Sequence, residues 1–226
     1  MMQQGFSWIK QSVLTMGDKT AEAVGLAVRA LVDNDAAAAA GAREIEKQVD
    51  LMYQEINEHC LDSLAARLCS REEVNFVTCS LKIAMELERT CDYANQIAKM
   101  VQKKFATQNM QPLATLHGSV ASMKDQSLEM LRGALRCYDT LDCSLTRQVI
   151  DKDTSVDKRN RDLFRDMVCV LSVHPWVQET IMDYHVAIRY IERVADRATN
   201  IAELAFYIAH GEPLKKKGAG GGEAGG

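Results

Sequence analysis

Pairs of acidic residues spaced four positions apart recur along the chain. Glu88 and Asp92 lie in the stretch IAMELERTCDYANQIA, and Glu192 and Asp196 lie in the similar stretch IRYIERVADRATNIAE about a hundred residues later. Residues four apart lie one above the other on a helix, where two carboxylates repel each other by roughly 0.2–0.5 kcal/mol. Because the pair recurs at matching positions despite this repulsion, it indicates a site for a cation.

Two further pairs follow the same spacing. Glu46 and Asp50 lie in REIEKQVDLMYQEI, and Asp153 and Asp157 lie in VIDKDTSVDKRNRDLF, with a valine before the second acid in both. The four pairs supply eight candidate metal ligands: Glu46, Asp50, Glu88, Asp92, Asp153, Asp157, Glu192 and Asp196. Carboxylates that neighbouring helices bring together are typical ligands of hard cations and iron.

Two alternatives to a non-catalytic metal site remain open. Arg189, Arg193 and Arg197 form a basic row beside the last pair, so the acids can instead form surface salt bridges in a metal-free helical scaffold. A multinuclear carboxylate enzyme is the other alternative. Di-iron helical bundles use Glu-x-x-His motifs, and no Glu or Asp precedes any of the five histidines by three residues. P-loop, G-x-S-x-G and H-E-x-x-H motifs are also absent, so we expect no catalytic activity.

The elements that must position these acids are helices. Apolar residues recur at spacings of three and four almost throughout, which is the helical period, and the composition is rich in Ala, Leu, Met and Glu. The pattern predicts an all-α fold of six long helices, at about residues 4–33, 36–69, 71–106, 112–139, 143–171 and 174–210. Ser70 and Glu73 form a predicted capping box, Asp142 is a predicted N-cap, and Gly211 with Pro213 ends the last helix.

The predicted packing faces place the acids beside the core. The third helix has the apolar stripe Ile83, Leu87, Cys91, Ala94, Ala98 and Val101, and the sixth has Tyr184, Ile188, Ile191, Ala195, Ala198, Ala202 and Ala205. At about 100° per residue, the acids of both helices lie roughly 100–140° from these stripes. We therefore expect them at the edge of the packing face or on the surface.

A linker over Thr107–Gln111 divides the chain into two halves. Three helices precede it and three follow it, and the acid pairs occupy the second and third helix of each half. This arrangement predicts an internal repeat, with one three-helix bundle over residues 1–108 and a second over 109–210. Residues 211–226 form a glycine-rich tail whose composition predicts disorder.

Composition and charge exclude several classes of protein. The net charge is -4, and without a basic stripe we expect no binding to nucleic acid. No window approaches 18 consecutive apolar residues, so we expect no membrane span and contact with membranes only through partners. The seven cysteines form no C-x-x-C pattern, which is typical of reduced thiols in a cytoplasmic protein.

These features resemble the PhoU family of phosphate-uptake regulators over about residues 6–210. The resemblance rests on the six helices in two repeats, on the acid-x-x-x-Asp pairs and on IRYIERVADRATNIAE, which is similar to the family's signature in the second repeat. The first half departs from the family's pattern at the start of its third helix, over Ser70–Phe76.

The resemblance implies a function. Family members are cytoplasmic negative regulators of phosphate uptake and of the phosphate-starvation response, and they contact a sensor histidine kinase and the ATPase subunit of the phosphate ABC transporter. They bind metal ions through the acid pairs, so the resemblance assigns metal binding to the eight acids. We expect iron, with magnesium, manganese or zinc as alternatives, and we expect a homodimer.

Overall fold

The computed structural model describes residues 2–66 and 69–214, except the side chains of residues 2–5 and 143. These described residues form six long α-helices and no strand, which confirms the predicted all-α fold. The helices are α1 (Met2–Asp33), α2 (Ala36–Ala65), α3 (Arg71–Lys103), α4 (His117–Thr140), α5 (Cys143–Val173) and α6 (Gln178–His210).

The helix borders depend on local side-chain contacts. Ser70 Oγ accepts a hydrogen bond from the backbone N–H of Glu73 at 3.2 Å, and the Glu73 carboxylate accepts one from the N–H of Ser70 at 2.9 Å, which confirms the capping box. Asp142 accepts a hydrogen bond from the N–H of Ser144 at 2.9 Å and caps α5 as predicted. Gly211 ends α6 at a φ of 71°, a conformation that glycine adopts without a Cβ clash.

Several borders differ from the predicted ones. The α3 helix ends at Lys103 rather than near residue 106. The segment Gln111–Leu116 forms a 3-10 helix where the fourth α-helix was predicted to begin. The α2 helix ends at Ala65, short of the predicted residue 69, and α5 continues two residues past the predicted residue 171.

The six helices pack as two bundles, one of α1, α2 and α3 and one of α4, α5 and α6. The bundles join where α3 packs on α6 and α1 packs on α4, so one apolar core runs through both. Every residue of the two predicted apolar stripes is buried. Burying a side chain such as Ile83 or Leu87 contributes about 1.5–3 kcal/mol relative to exposure, so these stripes hold α3 and α6 at the centre of the molecule.

The remaining expectations for the chain concern cysteines, membranes and the tail. Four of the cysteines are buried and act as small apolar core residues: Cys60, Cys79, Cys91 and Cys137. None of the described helices is long and apolar enough to cross a bilayer. Of the predicted disordered tail, residues 215–226 lie outside the described residues.

Candidate metal centres

Four of the predicted ligands meet between α2 and α3. Burial raises the pKa of Glu46, and the neighbouring Asp50 raises it further. Burial also raises the pKa of Asp50 and of Glu88, and in both cases the charge of Asp92 adds to the effect. The four carboxylates therefore lie close enough to repel one another. We call Glu46, Asp50, Glu88 and Asp92 the α2–α3 cluster.

The other four predicted ligands meet between α5 and α6. Burial raises the pKa of Asp153 to about 6, and Asp157, Asp196 and Glu192 raise it in that order of importance. Burial raises the pKa of Glu192 as well, and a cation and an amide next to it oppose that rise. We call Asp153, Asp157, Glu192 and Asp196 the α5–α6 cluster. The repeat thus places all eight predicted acids in two equivalent groups of four.

The depth of the acids agrees with the helical geometry at seven positions and differs at one. Seven of the carboxylates are half-buried, as expected at the edge of a packing face. Glu192 is only 9% exposed, deeper than predicted. The Nδ2 group of Asn160 donates a hydrogen bond of 2.8 Å to Glu192 Oε1 inside the bundle, and this bond satisfies the buried oxygen.

Each cluster contains an asparagine that sequence reasoning did not assign to the site. The Nδ2 group of Asn95 on α3 donates to Glu46 on α2, as that of Asn160 on α5 donates to Glu192 on α6. Each asparagine follows the second acid of its own helix, Asp92 or Asp157, by three residues. A spacing of three keeps each asparagine on the same helical face as the acid before it. This spacing is the sequence signal that could have revealed the asparagine.

The three arginines beside the last acid pair have different partners. Arg189 pairs with Glu192, but Arg197 pairs with Glu86 on α3 at 3.0 Å. Arg193 lies over the ring of Tyr93, 5.7 Å from its centroid. Of the eight carboxylates, all of which the structure describes, only Glu192 has a cationic side chain within ion-pair distance.

The donor types of both clusters fit a hard cation. The clusters present carboxylate oxygens, which are the ligands that Mg²⁺, Mn²⁺ and iron accept, and a cation would offset their mutual repulsion. Across residues 6–66, 69–142 and 144–214, no three Asp, Glu, His or Cys side chains converge closely enough to hold an ion. Three or more carboxylates could therefore ligate one ion only after a change of rotamer.

A thiol distinguishes the two clusters. Burial raises the pKa of Cys91, and the carboxylates of Glu46, Asp50 and other members of the α2–α3 cluster raise it further. Cys91 is fully buried, so it lies beneath these acids as a neutral group. The α5–α6 cluster has Ala195 at the matching position before Asp196.

Two histidines contact aromatic rings. The ring of His59 lies against Trp8 with centroids 3.8 Å apart, and the ring of His185 meets Phe164 edge-on at 5.3 Å.

Comparison with known proteins agrees with the repeat and the fold. The PhoU domain family matches residues 13–101 and again residues 120–205. The phosphate-specific transport system accessory protein PhoU homolog of Pseudomonas aeruginosa is 28% identical over 210 residues, which cover 93% of this chain and 86% of that protein. The phosphate-specific transport system accessory protein PhoU of Escherichia coli is 27% identical, with the same two coverages.

Solved structures show the same architecture. The crystal structure of PhoU from Pseudomonas aeruginosa superimposes with a TM-score of 0.83 at 26% identity, and the match covers 94% of this chain and all of that one. The phosphate transport system regulatory protein PhoU from Streptococcus pneumoniae superimposes with a TM-score of 0.80 over 96% of this chain and all of that one, at 22% identity.

Proposed function

Because the chain belongs to the PhoU family, we propose that it is an accessory regulator of phosphate transport with no catalytic activity of its own. The names of its relatives support this role, since they are accessory proteins of the phosphate-specific transport system. The near-complete coverage of both chains supports the transfer of the role to the whole protein rather than to one repeat.

We further propose that the protein acts as a negative regulator in the cytoplasm. The protein acts as a homodimeric adaptor that contacts a sensor histidine kinase and the ATPase subunit of the phosphate ABC transporter. By docking on these proteins through a helical face, it restrains phosphate uptake and the phosphate-starvation response. The resemblance of its acid motifs to those of the family supports this form of the proposal.

The clusters bind metal ions in this proposal. One observation carries it: seven of the eight half-buried or buried carboxylates lack an ion-pair partner. Repulsion between these carboxylates lowers the free energy of unfolding. A bound cation would raise it again, because binding to the folded state stabilises that state. The ion, iron or a divalent metal, would supply the positive charge that holds α2 to α3 and α5 to α6 at the surface.

A metal-free helical scaffold is the second candidate. It is favoured by the lack of convergent ligands among the described side chains and by the ion pair of Arg189 with Glu192. In that case the protein would regulate by docking alone.

A metal assay separates the two candidates. The purified protein is loaded with ferrous iron or Mn²⁺, dialysed and analysed by inductively coupled plasma mass spectrometry. We expect the variant D92A/D196A, with one acid removed from each cluster, to retain less than a tenth of the wild-type metal at unchanged helicity. The control E44A/D151A removes two exposed acids outside the clusters and should retain all of it. Equal metal content in the two double variants would favour the scaffold.

A complementation assay tests the regulatory role. The chain is expressed in a bacterium that lacks its own family member, and a phosphate-starvation reporter is measured in phosphate-rich medium. We expect repression of the reporter. Continued expression of the reporter, with the folded protein present, would contradict the proposed role and leave the fold unaffected.

A further inference from the structure

Exposed apolar side chains concentrate at one end of the second bundle. Of eleven large apolar side chains that are exposed among the described residues, six lie between residues 164 and 186: Phe164, Val168, Val173, Trp176, Met182 and Val186. Trp176 is 71% exposed and Met182 is 63% exposed. An apolar surface of this kind on a water-facing helix pair is typical of a protein interaction site. We call these six residues the α5–α6 tip.

A basic groove continues from the α5–α6 tip. A cavity of about 370 Å³ between α5 and α6 is lined by Asn160, Arg161, Phe164, Arg165, His185 and Arg189. Arg161 forms no ion pair within the described chain, and Arg165 forms only an exposed pair with Asp162 at 3.3 Å. Exposed pairs of this kind contribute about 0–1 kcal/mol, so the Arg165 guanidinium remains available to a partner.

Two acids of the same stretch of α5 line a second cavity. Asp162 and Asp166 line it together with Ser119 of α4, Lys158 and Arg159. Asp162, which pairs with Arg165, thus lines this second cavity and not the basic groove. Phe164 lies at the junction, since it lines the basic groove and also belongs to the α5–α6 tip.

The first repeat shows that the fold does not need these residues. Counted from Asp50, the positions of Arg161, Phe164 and Arg165 after Asp157 correspond to Gln54, Asn57 and Glu58. The α2–α3 pair forms the same kind of bundle with these polar or acidic side chains. At these three positions, the two arginines and the phenylalanine occur in only one of two equivalent helix pairs, and this difference is better explained by binding than by folding.

We propose that the α5–α6 tip and the basic groove together dock an amphipathic helix of a partner protein, with apolar residues at one end and acidic residues at the other. Amphipathic helices bind by laying an apolar face into a groove. Aromatic residues and arginine dominate binding energy at such interfaces. The apolar end would cover Trp176 and Met182, and the acidic end would reach Arg161 and Arg165. This proposal rests on the proposed adaptor function and names the face that the partner contacts.

The test uses two designed peptides of about 20 residues, long enough for five helical turns. Both carry the same apolar face, and their terminal charged block is Glu in one and Lys in the other. Fluorescence anisotropy of the labelled peptides measures the affinity of the full-length protein. We expect the Glu peptide to bind at least about tenfold more tightly than the Lys peptide, and less tightly as salt is added.

Variants taken from the first repeat locate the site. R161Q/F164N introduces the corresponding side chains of α2, and we expect it to weaken binding of the Glu peptide at least about tenfold. The control L61N removes an equally exposed apolar side chain from α2 and should leave the affinity unchanged. Equal affinities for the two peptides, no binding of either, or no effect of R161Q/F164N would overturn the proposal.

Self-association is the competing explanation for the apolar tip. Sedimentation velocity of the wild type and of R161Q/F164N decides it, because a dimer that the variant abolishes would assign the face to a second copy and overturn the proposal. The peptide measurements do not depend on phosphate regulation. If the reporter assay fails while the Glu peptide binds as expected, the regulatory role is wrong and the docking face stands.

Discussion

Glu86 and Glu88 lie within one turn of α3, yet their carboxylates have opposite surroundings. Glu86 is buried in the seam between α3 and α6, where it accepts hydrogen bonds from Arg197 Nη1 at 3.0 Å and from Asn200 Nδ2 at 3.2 Å. Arg89 also lies 3.6 Å from it. Glu88 has three carboxylates as neighbours and no ion pair among the described residues, and its pKa is raised by burial and by those neighbours.

The difference shows how the fold distributes its positive charge. Arg89 follows Glu88 and Arg197 follows Asp196 in the chain, yet both arginines pair with Glu86 in the seam. Arg197 thus joins the two bundles, whereas Arg89 pairs with Glu86 within α3. The fold compensates the carboxylate that holds the two bundles together and leaves seven of the eight cluster carboxylates without an ion pair.

The largest expected effect comes from breaking the seam. Arg197→Met leaves Glu86 buried with one amide and a longer contact to Arg89, and removing one partner of a buried ion pair costs about 3–5 kcal/mol. Urea unfolding should show this loss of unfolding free energy. The control Arg193→Met removes the guanidinium that lies over Tyr93 and Tyr190 and should cost only about 0.5–1 kcal/mol. Equal losses would show that the seam does not depend on Glu86.

Neutralising carboxylates should have opposite effects in the two regions. In metal-free protein, D153N/D157N relieves repulsion within the α5–α6 cluster, and we expect a gain of about 1–2 kcal/mol in unfolding free energy. Glu86→Gln instead weakens two charge-assisted hydrogen bonds and should cost about 1.5–3 kcal/mol. Both are measured by urea unfolding in the presence of EDTA. A loss of stability in D153N/D157N would mean that its charges are already compensated.

The pH dependence of stability should identify Asp153. Its pKa of about 6 in the folded protein exceeds the value of about 3.9 expected in the unfolded chain. Its stabilising contribution is therefore complete below about pH 3.9 and is lost as the pH rises through about 6.

Comparison with Asp153→Asn isolates the contribution of Asp153 to the pH dependence of stability. Between pH 5 and pH 7.5, metal-free wild type should lose about 1 kcal/mol more stability than D153N, after discounting for partial solvent exposure. Burial lowers the pKa of His117 and of His185, so these histidines make stability rise with pH. The rise is the same in wild type and D153N, and it therefore cancels in the difference between the two proteins. Identical pH profiles for the two proteins would contradict the assignment to Asp153.

Much of the fold followed from the sequence because its signals are local. The helical period, the Ser70 capping box and Gly211 each act over one or two turns, and they predicted the helices and most of their borders. The 3-10 helix at Gln111–Leu116 was missed because a proline at the first turn is compatible with both helix types.

The candidate site was predictable only in part. Four acid-x-x-x-Asp pairs at repeated positions predicted which residues form the two clusters, because equivalent positions of a repeat occupy equivalent places in the fold. The partner of Arg197 was not predictable, because Glu86 lies on α3 and not on the helix of Arg197. The packing of α3 on α6 brings the two residues together, and no local pattern encodes that contact.

The smallest expected effect concerns the thiol beneath the α2–α3 cluster. Cys91→Ala gives this cluster the alanine that the α5–α6 cluster already has at Ala195, and the small cavity should cost roughly 0.5–1 kcal/mol. Because burial and the nearby carboxylates raise the pKa of Cys91, the thiol stays protonated and is a poor ligand for a hard cation. We therefore expect unchanged metal content by mass spectrometry. A lower metal content in C91A would make the thiol a ligand and would give the α2–α3 cluster a preference for softer metals that the α5–α6 cluster lacks.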